Sequence, residues 1–396
     1  MSVGTLDDLL AERGGVRGRR VLVRADLNVP LADGRVADDT RIQAALGTLR
    51  RLLAAGARVV LCSHLGRPRG APQPALSLRP VAERLAALLG RPVVFVGVCV
   101  GPEAEAAAAK LGDGELLLLE NLRFHAEEEK NDPAFAKQLA ALADVYVNDA
   151  FGTAHRAHAS TAGVVPFVKR AVAGDLLRTE LDHLRVIREP ERPLVCFLGG
   201  AKVSDKLAVL AALAPHTDTL AIGGAMAYTF LLAQGQPTGA SLVEPERVDE
   251  ARRVLAAARA AGRELLLPVD HVVAERIEAG AATRVVKEIP AGWRGVDIGP
   301  ETAALYAAVA RRARTVFWNG PMGVFEIDAF ARGTEAVARA IAESSARSVV
   351  GGGDSLAAVN KLGLADRIGH LSTGGGASLE YVQGLALPGV VALERR

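Results

Sequence analysis

Short, nearly unbroken apolar runs alternate with longer stretches of helical periodicity along almost the whole chain. In the first half, Val21–Val23, Val59–Cys62, Val93–Val96, Leu116–Leu119 and Val145–Val147 read as strands. Between them, Arg41–Ala55, Pro80–Leu89, Glu103–Leu111 and Pro133–Leu142 read as helices, the last opened by Asp132 as N-cap and Pro133 at its first position. The second half repeats the scheme. Leu194–Leu198, Thr219–Ile222, Glu264–Pro268, Thr315–Trp318 and Ser348–Val350 read as strands, and Ser204–Leu213, Glu301–Ala313 and Asp354–Leu362 as helices. Strands apolar on both faces belong in a sheet covered on both sides. Strand–helix alternation then gives parallel sheets with right-handed crossovers.

A chain of 396 residues exceeds what one hydrophobic core organises, and its 50% apolar content can supply two. The expectation is an α/β protein of two similar-sized Rossmann-like domains, each a parallel sheet flanked by helices, with a cleft between them. The first spans 1–174, a connecting helix 175–189, and the second 190–384, with Pro190 and Pro193 marking its start. The net charge of +2 calls for neither nucleic acid nor an acidic membrane. Three cysteines, Cys62, Cys99 and Cys196, are too few and too scattered for a disulfide framework or a zinc site. The opening MSVGTLDDLL lacks the pattern of a signal peptide, and no apolar run approaches the roughly 20 residues of a membrane span. These features lead to the expectation of a soluble cytoplasmic protein.

In open parallel sheets, ligands bind beyond the carboxyl ends of the strands. In the first half those ends carry Arg24, Asp26 and Asn28; His64, Gly66 and Arg67; Asn121 and Arg123; and His155, Arg156 and His158. Arg41 lies at the start of the first helix. Four strand-end arginines with neighbouring histidines suit a small, multiply charged anion, because guanidinium forks match carboxylate and phosphate oxygens. In the second half the ends carry glycine: Gly199-Gly200, Gly223-Gly224, Gly320, Gly351–Gly353 and Gly374–Gly376. Glycine lets backbone N–H groups approach phosphate at a helix start. Asp354 has two readings there, an N-cap or a carboxylate that holds Mg²⁺ beside a nucleotide. Lys202 and Lys206 sit at a helix start, where the dipole disfavours cations unless an anion is near.

Several classes are absent by motif. No GxxxxGK[ST], no GxGxxG after the first strand, and no HRD, DFG, GxSxG or HExxH occurs. A transferase for another carboxylate, such as acetate or carbamate, and a non-catalytic nucleotide-binding module remain as alternatives. The first lacks a use for so many arginines. The second needs no transition-state clamp.

Ten segments occur in one order: VLVRADLNVP, CSHLGRP, LLENLRF, VNDAFGTAHRAHAS, LGGAKVSDK, IGGAMAYTF, VDIGPET, FWNGPMGVFE, GGGDS and STGGGAS. In this set the chain resembles the phosphoglycerate kinase family over essentially its whole length. The resemblance implies reversible phosphoryl transfer from 1,3-bisphosphoglycerate to Mg·ADP, giving 3-phosphoglycerate and ATP in glycolysis. It implies that Asp26, Asn28, Arg41, His64, Leu65, Gly66, Arg67, Arg123 and Arg156 bind 3-phosphoglycerate. It places the nucleotide at Gly200, Ala201, Lys202, Lys206, Gly295, Asn319, Glu326, Gly352, Gly353, Asp354 and Ser355, with Asp354 helping to hold Mg²⁺. Arg41, Lys202 and Lys206 are implied as catalytic groups. The backbone at Gly374, Gly375 and Gly376 is implied to stabilise the moving phosphoryl. It also implies a monomer, and a segment 385–396 that packs back on the first domain. Ala225 and Ser355 stand where glycine and threonine are common.

The chemistry needs no general base, since both acceptors, an ADP phosphate and a carboxylate, are ionised near neutral pH. Positioning and charge neutralisation should carry catalysis. Two half-sites on two domains imply hinge closure over both substrates.

Overall fold

The computed structural model describes residues 3–394; residues 1–2 and 395–396, the ends of the expected segments 1–174 and 385–396, lie outside the described residues. The chain forms two compact units. One holds the residues through Leu181 together with Ala386 onward, and the other is Asp182–Leu385. The division falls inside the helix Asp175–Arg188.

The first unit is built on β1 (Arg20–Ala25), a hairpin of β2 (Leu31–Ala32) and β3 (Arg35–Val36), β4 (Arg58–Cys62), β5 (Val94–Phe95), β6 (Leu116–Leu118), β7 (Val145–Asp149) and β8 (Ala171–Ala173). Outside the hairpin these make one parallel sheet in the order β5-β6-β4-β1-β7-β8. On one face Val21, Val23, Val59, Leu61, Val145 and Val147 pack against Ile42, Leu49 and Leu52 of the helix Thr40–Ala54. Leu22, Val60 and Tyr146 are buried on the other face, which explains the continuous apolar runs. The helix Pro133–Ala141 starts as its residues dictate: the Asp132 carboxylate accepts from Ala134 N and Phe135 N, both at 2.9 Å. The terminal helix Pro388–Glu394 belongs to this unit. Gly389 N donates to the Ala154 carbonyl at 2.8 Å.

The second unit contains β9 (Leu194–Leu198), β10 (Thr219–Ile222), β11 (Glu264–Leu266), β12 (His271–Ala274), β13 (Thr283–Val286), β14 (Arg294–Ile298), β15 (Thr315–Asn319), β16 (Arg347–Gly351) and β17 (His370–Ser372). Six of these form a parallel sheet in the order β11-β10-β9-β15-β16-β17. Its core joins Val195, Phe197, Trp318 and Val350 to Val337 and Ile341 of the helix Arg332–Glu343. Beyond the expected parallel sheet, β13-β12-β14 make a small antiparallel sheet, edged by Arg284 stacked over Trp293 at 4.2 Å. Among the described residues, no helix is long and apolar enough to cross a membrane.

In each parallel sheet the chain first adds strands to one side of its opening strand and then returns to the other. The reversal lies between β1 and β7 in the first unit, and between β9 and β15 in the second. The crevice beyond the strand ends at such a point is where ligands bind in open α/β sheets.

Candidate active site

Around the ends of β1, β4, β6 and β7, three loops are tied into one surface. Asn28 Oδ1 accepts from Gly66 N at 2.8 Å, joining the loops after β1 and β4. Arg123 Nη1 donates to the Gly66 carbonyl at 2.9 Å, joining the loop after β6. Arg41 reaches in from the second position of its helix. Its Nη1 lies 3.1 Å from Asp26 Oδ2 and 3.2 Å from the Asn28 carbonyl. Asp26, Asn28, Arg41, Gly66 and Arg123 are therefore in mutual contact, and Leu65 is buried beside them. Arg67 is exposed. Arg156 Nε lies 3.3 Å from His155 Nε2.

Arg24 corrects the expectation that all the strand-end arginines face the ligand. It is 1% exposed, and its guanidinium bonds inward to Ser160 Oγ at 2.9 Å, to the Ala25 carbonyl and to His64 Nδ1 at 3.2 Å. The physical reason is Glu128, a fully buried carboxylate that accepts from Ser160 N at 2.9 Å and Ser160 Oγ at 2.5 Å. A cation below the surface answers a carboxylate below the surface. Both histidines here stay neutral. Burial, then the neighbouring guanidiniums led by Arg24, pushes His158 down to about 4 and His64 well below its usual range.

In the second unit the ends of β9, β10 and β15 come within backbone hydrogen-bonding distance. Gly199 N donates to the Asn319 carbonyl at 3.0 Å, and Gly224 N to the Met322 carbonyl at 2.9 Å. Gly320 has φ +98°, and a Cβ there would lie 2.1 Å from the Gly199 carbonyl oxygen, so no larger residue fits. Lys206 Nζ donates to Asn319 Oδ1, while Asn319 Nδ2 is buried without a partner. Burial lowers the Lys206 pKa, opposed by the nearby carboxylates of Asp205 and Asp354. Ser355 Oγ accepts from Gly320 N at 2.6 Å, tying the loop after β16 to the loop after β15. A cavity of about 310 Å³ opens beside them, lined by Gly200, Ala201, Gly295, Glu326, Asp354 and Tyr228 among others. Gly295 comes from β14 of the small sheet, and a Cβ there would fall 2.0 Å from Tyr228 Oη.

Two local expectations change. The N-cap of the helix Gly353–Lys361 is Gly352, at φ +91°, so Asp354 is the second helical residue and its carboxylate is free to line the cavity. The helix expected at Ser204–Leu213 begins only at Leu207, with Lys206 as its N-cap. Ser204 N bonds to Glu244 Oε2 at 3.0 Å instead of entering a helical turn. Lys202 is exposed on that loop. Gly374 to Gly376 lead into the helix Gly376–Val382, with Gly375 at φ +55°.

Residues 11–385 match the sequence model described as phosphoglycerate kinase. The chain belongs to the phosphoglycerate kinase family. It is 59% identical to phosphoglycerate kinase of Moorella thermoacetica over 384 residues, covering 96% of this chain and 98% of that one. The enzyme of Rubrobacter xylanophilus is 60% identical, with 96% and 97% covered. The solved phosphoglycerate kinase of Coxiella burnetii superposes with a TM-score of 0.90 at 41% identity, each chain covered in full. That of Pyrococcus horikoshii gives 0.82 at 33% identity, with 96% of each covered.

For a phosphoglycerate kinase the supporting residues matter as much as the ones that touch ligand, and two of them received no role from the sequence. Asn121 is fully buried. Its Oδ1 accepts from Leu65 N and Arg123 N, both at 3.1 Å, and its Nδ2 donates to the Leu65 carbonyl at 2.7 Å and the Leu76 carbonyl at 2.9 Å. Glu128 is the other. A polar residue within LLENLRF signals Asn121; nothing local marks Glu128, whose partner Ser160 is 32 positions away.

Proposed function

We propose that this chain transfers a phosphoryl group between 1,3-bisphosphoglycerate and ADP, giving 3-phosphoglycerate and ATP. The single observation that carries the substrate assignment is the surface joining Asp26, Asn28, Arg41, Gly66 and Arg123, which presents guanidiniums held by neighbours on only part of their donor set. An arginine with one nitrogen anchored keeps the others for ligand oxygens. His64, Leu65, Arg67 and Arg156 complete the proposed 3-phosphoglycerate site. The family's nucleotide substrate, ADP or ATP, is assigned to the cavity of the second unit and the glycine turns around it. Gly200, Ala201, Lys202, Gly295, Asn319, Glu326 and Gly352–Ser355 are its proposed contacts.

Asp354 fits Mg²⁺, because this ion binds one or two carboxylates together with substrate phosphates. Among the described residues no group of three or more His, Cys, Asp or Glu side chains is placed to hold a metal ion by itself. Bound there, Mg²⁺ would neutralise phosphate charge. Arg41 and Lys206, with Lys202, meet the charge on the transferring group, and backbone N–H groups at Gly374–Gly376 add donors. The Lys206 ammonium keeps two hydrogens beyond the one given to Asn319 for this purpose. No side chain has to take a proton.

Donor and acceptor must come within about 3 Å for in-line transfer. Each half-site is built on its own unit, so closure over both substrates is part of the proposal. Small-angle scattering should register compaction with both ligands and not with either alone. The protein is further proposed to be a cytoplasmic monomer without nucleic-acid or membrane partners. Its near-neutral charge and three buried free thiols support that reading. A coupled assay with Mg·ATP and 3-phosphoglycerate tests the function. Turnover with 3-phosphoglycerate and none with acetate or carbamate is expected; no turnover by folded protein overturns it.

A further inference from the structure

Arg24 lies wholly inside the first unit, beneath the proposed phosphoglycerate surface. Ser160 Oγ gives its one hydrogen to Glu128 at 2.5 Å and accepts Arg24 Nε at 2.9 Å. That chain of bonds aims Arg24 Nη2 at His64 Nδ1, 3.2 Å away. A guanidinium has only donors and does not lose its proton. The ring nitrogen facing it must accept, so it carries no hydrogen. In a neutral imidazole the single proton then resides on Nε2. Nε2 makes no hydrogen bond among the described residues, yet it is not among the fully enclosed polar atoms that lack a partner. It is the edge of the ring that reaches the outside, on a residue otherwise 4% exposed.

We propose that Arg24 is a positioning residue that fixes His64 as its Nε2–H tautomer, so that the ring offers an N–H donor to an anionic oxygen of the phosphoglycerate. The opposite tautomer would aim a lone pair at that oxygen. Glu128 and Ser160 act one step further back, by holding Arg24 in register. The identity of the anion rests on the functional reading above; the tautomer does not.

The test uses full-length protein labelled with ¹⁵N in histidine, with long-range ¹H–¹⁵N correlations recorded at pH 7. His64 should show a bare Nδ1 and a protonated Nε2 before any ligand is added. A ligand-free Nδ1–H form, or an even mixture, overturns the inference whatever the protein's activity. Added 3-phosphoglycerate should shift Nε2 and leave Nδ1 bare. Binding without movement of Nε2 removes the donor role. No binding of 3-phosphoglycerate fails the functional reading and the substrate half of this inference with it. In Arg24→Met the second tautomer should appear, and KM for 3-phosphoglycerate should rise about tenfold with kcat within about twofold, the signature of one lost ligand hydrogen bond. An unchanged tautomer in that variant contradicts the proposal. Should Arg24→Met not fold, the wild-type spectrum still decides.

Discussion

Arg41 is anchored through a single nitrogen: Nη1 lies 3.1 Å from Asp26 Oδ2, and among the described residues no other atom of its guanidinium is bonded. The pair holds the fork in place and leaves Nε and Nη2 for a ligand. Arg41→Ala should therefore lower kcat by roughly 10³-fold or more, the scale of cationic clamps in phosphoryl transfer. The fold should survive, since the Arg41 side chain is 39% exposed and an ion pair made by a solvent-exposed guanidinium contributes about 1 kcal/mol or less. Steady-state kinetics beside a thermal melt check both; near-normal kcat would remove Arg41 from the catalytic role.

Asn121 bonds to Leu65, Arg123 and Leu76 through four hydrogen bonds. Asn121→Ala leaves buried backbone groups unpaired, at about 1–3 kcal/mol each where water cannot reach them. The variant should lose at least about 2 kcal/mol in urea unfolding. KM for 3-phosphoglycerate should rise while KM for ATP stays constant. Equal change in both would show that Asn121 does not act through the first half-site.

Gly320→Ala places a methyl group against the Gly199 carbonyl in a left-handed backbone conformation. Left-handed strain and overpacking each cost about 1–3 kcal/mol. Unfolding free energy should fall by more than about 2 kcal/mol, and the bond from Gly320 N to Ser355 Oγ should be lost. A KM for nucleotide that stays at the wild-type value would count against the placement of the nucleotide at this turn.

His271 is buried on β12 beside Tyr228, and burial, only partly offset by Asp270, pushes its pKa down to about 4. The unfolded chain therefore binds more protons than the folded one between pH 4 and about 6.5. Stability from this group is fully present above about 6.5 and is lost as pH falls through 4. Denaturant unfolding across that range should show a smaller slope in His271→Gln than in wild type. Identical slopes would assign the acid sensitivity elsewhere.

The parallel sheets were legible because their inner strands are buried on both faces, and such strands announce themselves as apolar runs: β9 and β10 have the expected bounds. The cap at Asp132 was legible because its partners are two and three residues away. The small antiparallel sheet was not, since β13 is largely exposed and carries little apolar signal. At the site, residue types were readable and orientations were not. Arg24 and Arg123 both follow the strand-end pattern, but a carboxylate distant in sequence, Glu128, turns Arg24 inward through Ser160. Asp354 resembled an N-cap because the +91° φ of Gly352, which starts the helix one residue earlier, is a property of the folded turn.

The most direct measurement follows both phosphorus atoms of 1,3-bisphosphoglycerate by ³¹P NMR during turnover with Mg·ADP. The acyl phosphate resonance should decay as the γ resonance of ATP grows, while the phosphoester resonance persists in 3-phosphoglycerate. Loss of the acyl phosphate to inorganic phosphate at the uncatalysed rate, with no γ resonance, would contradict the account.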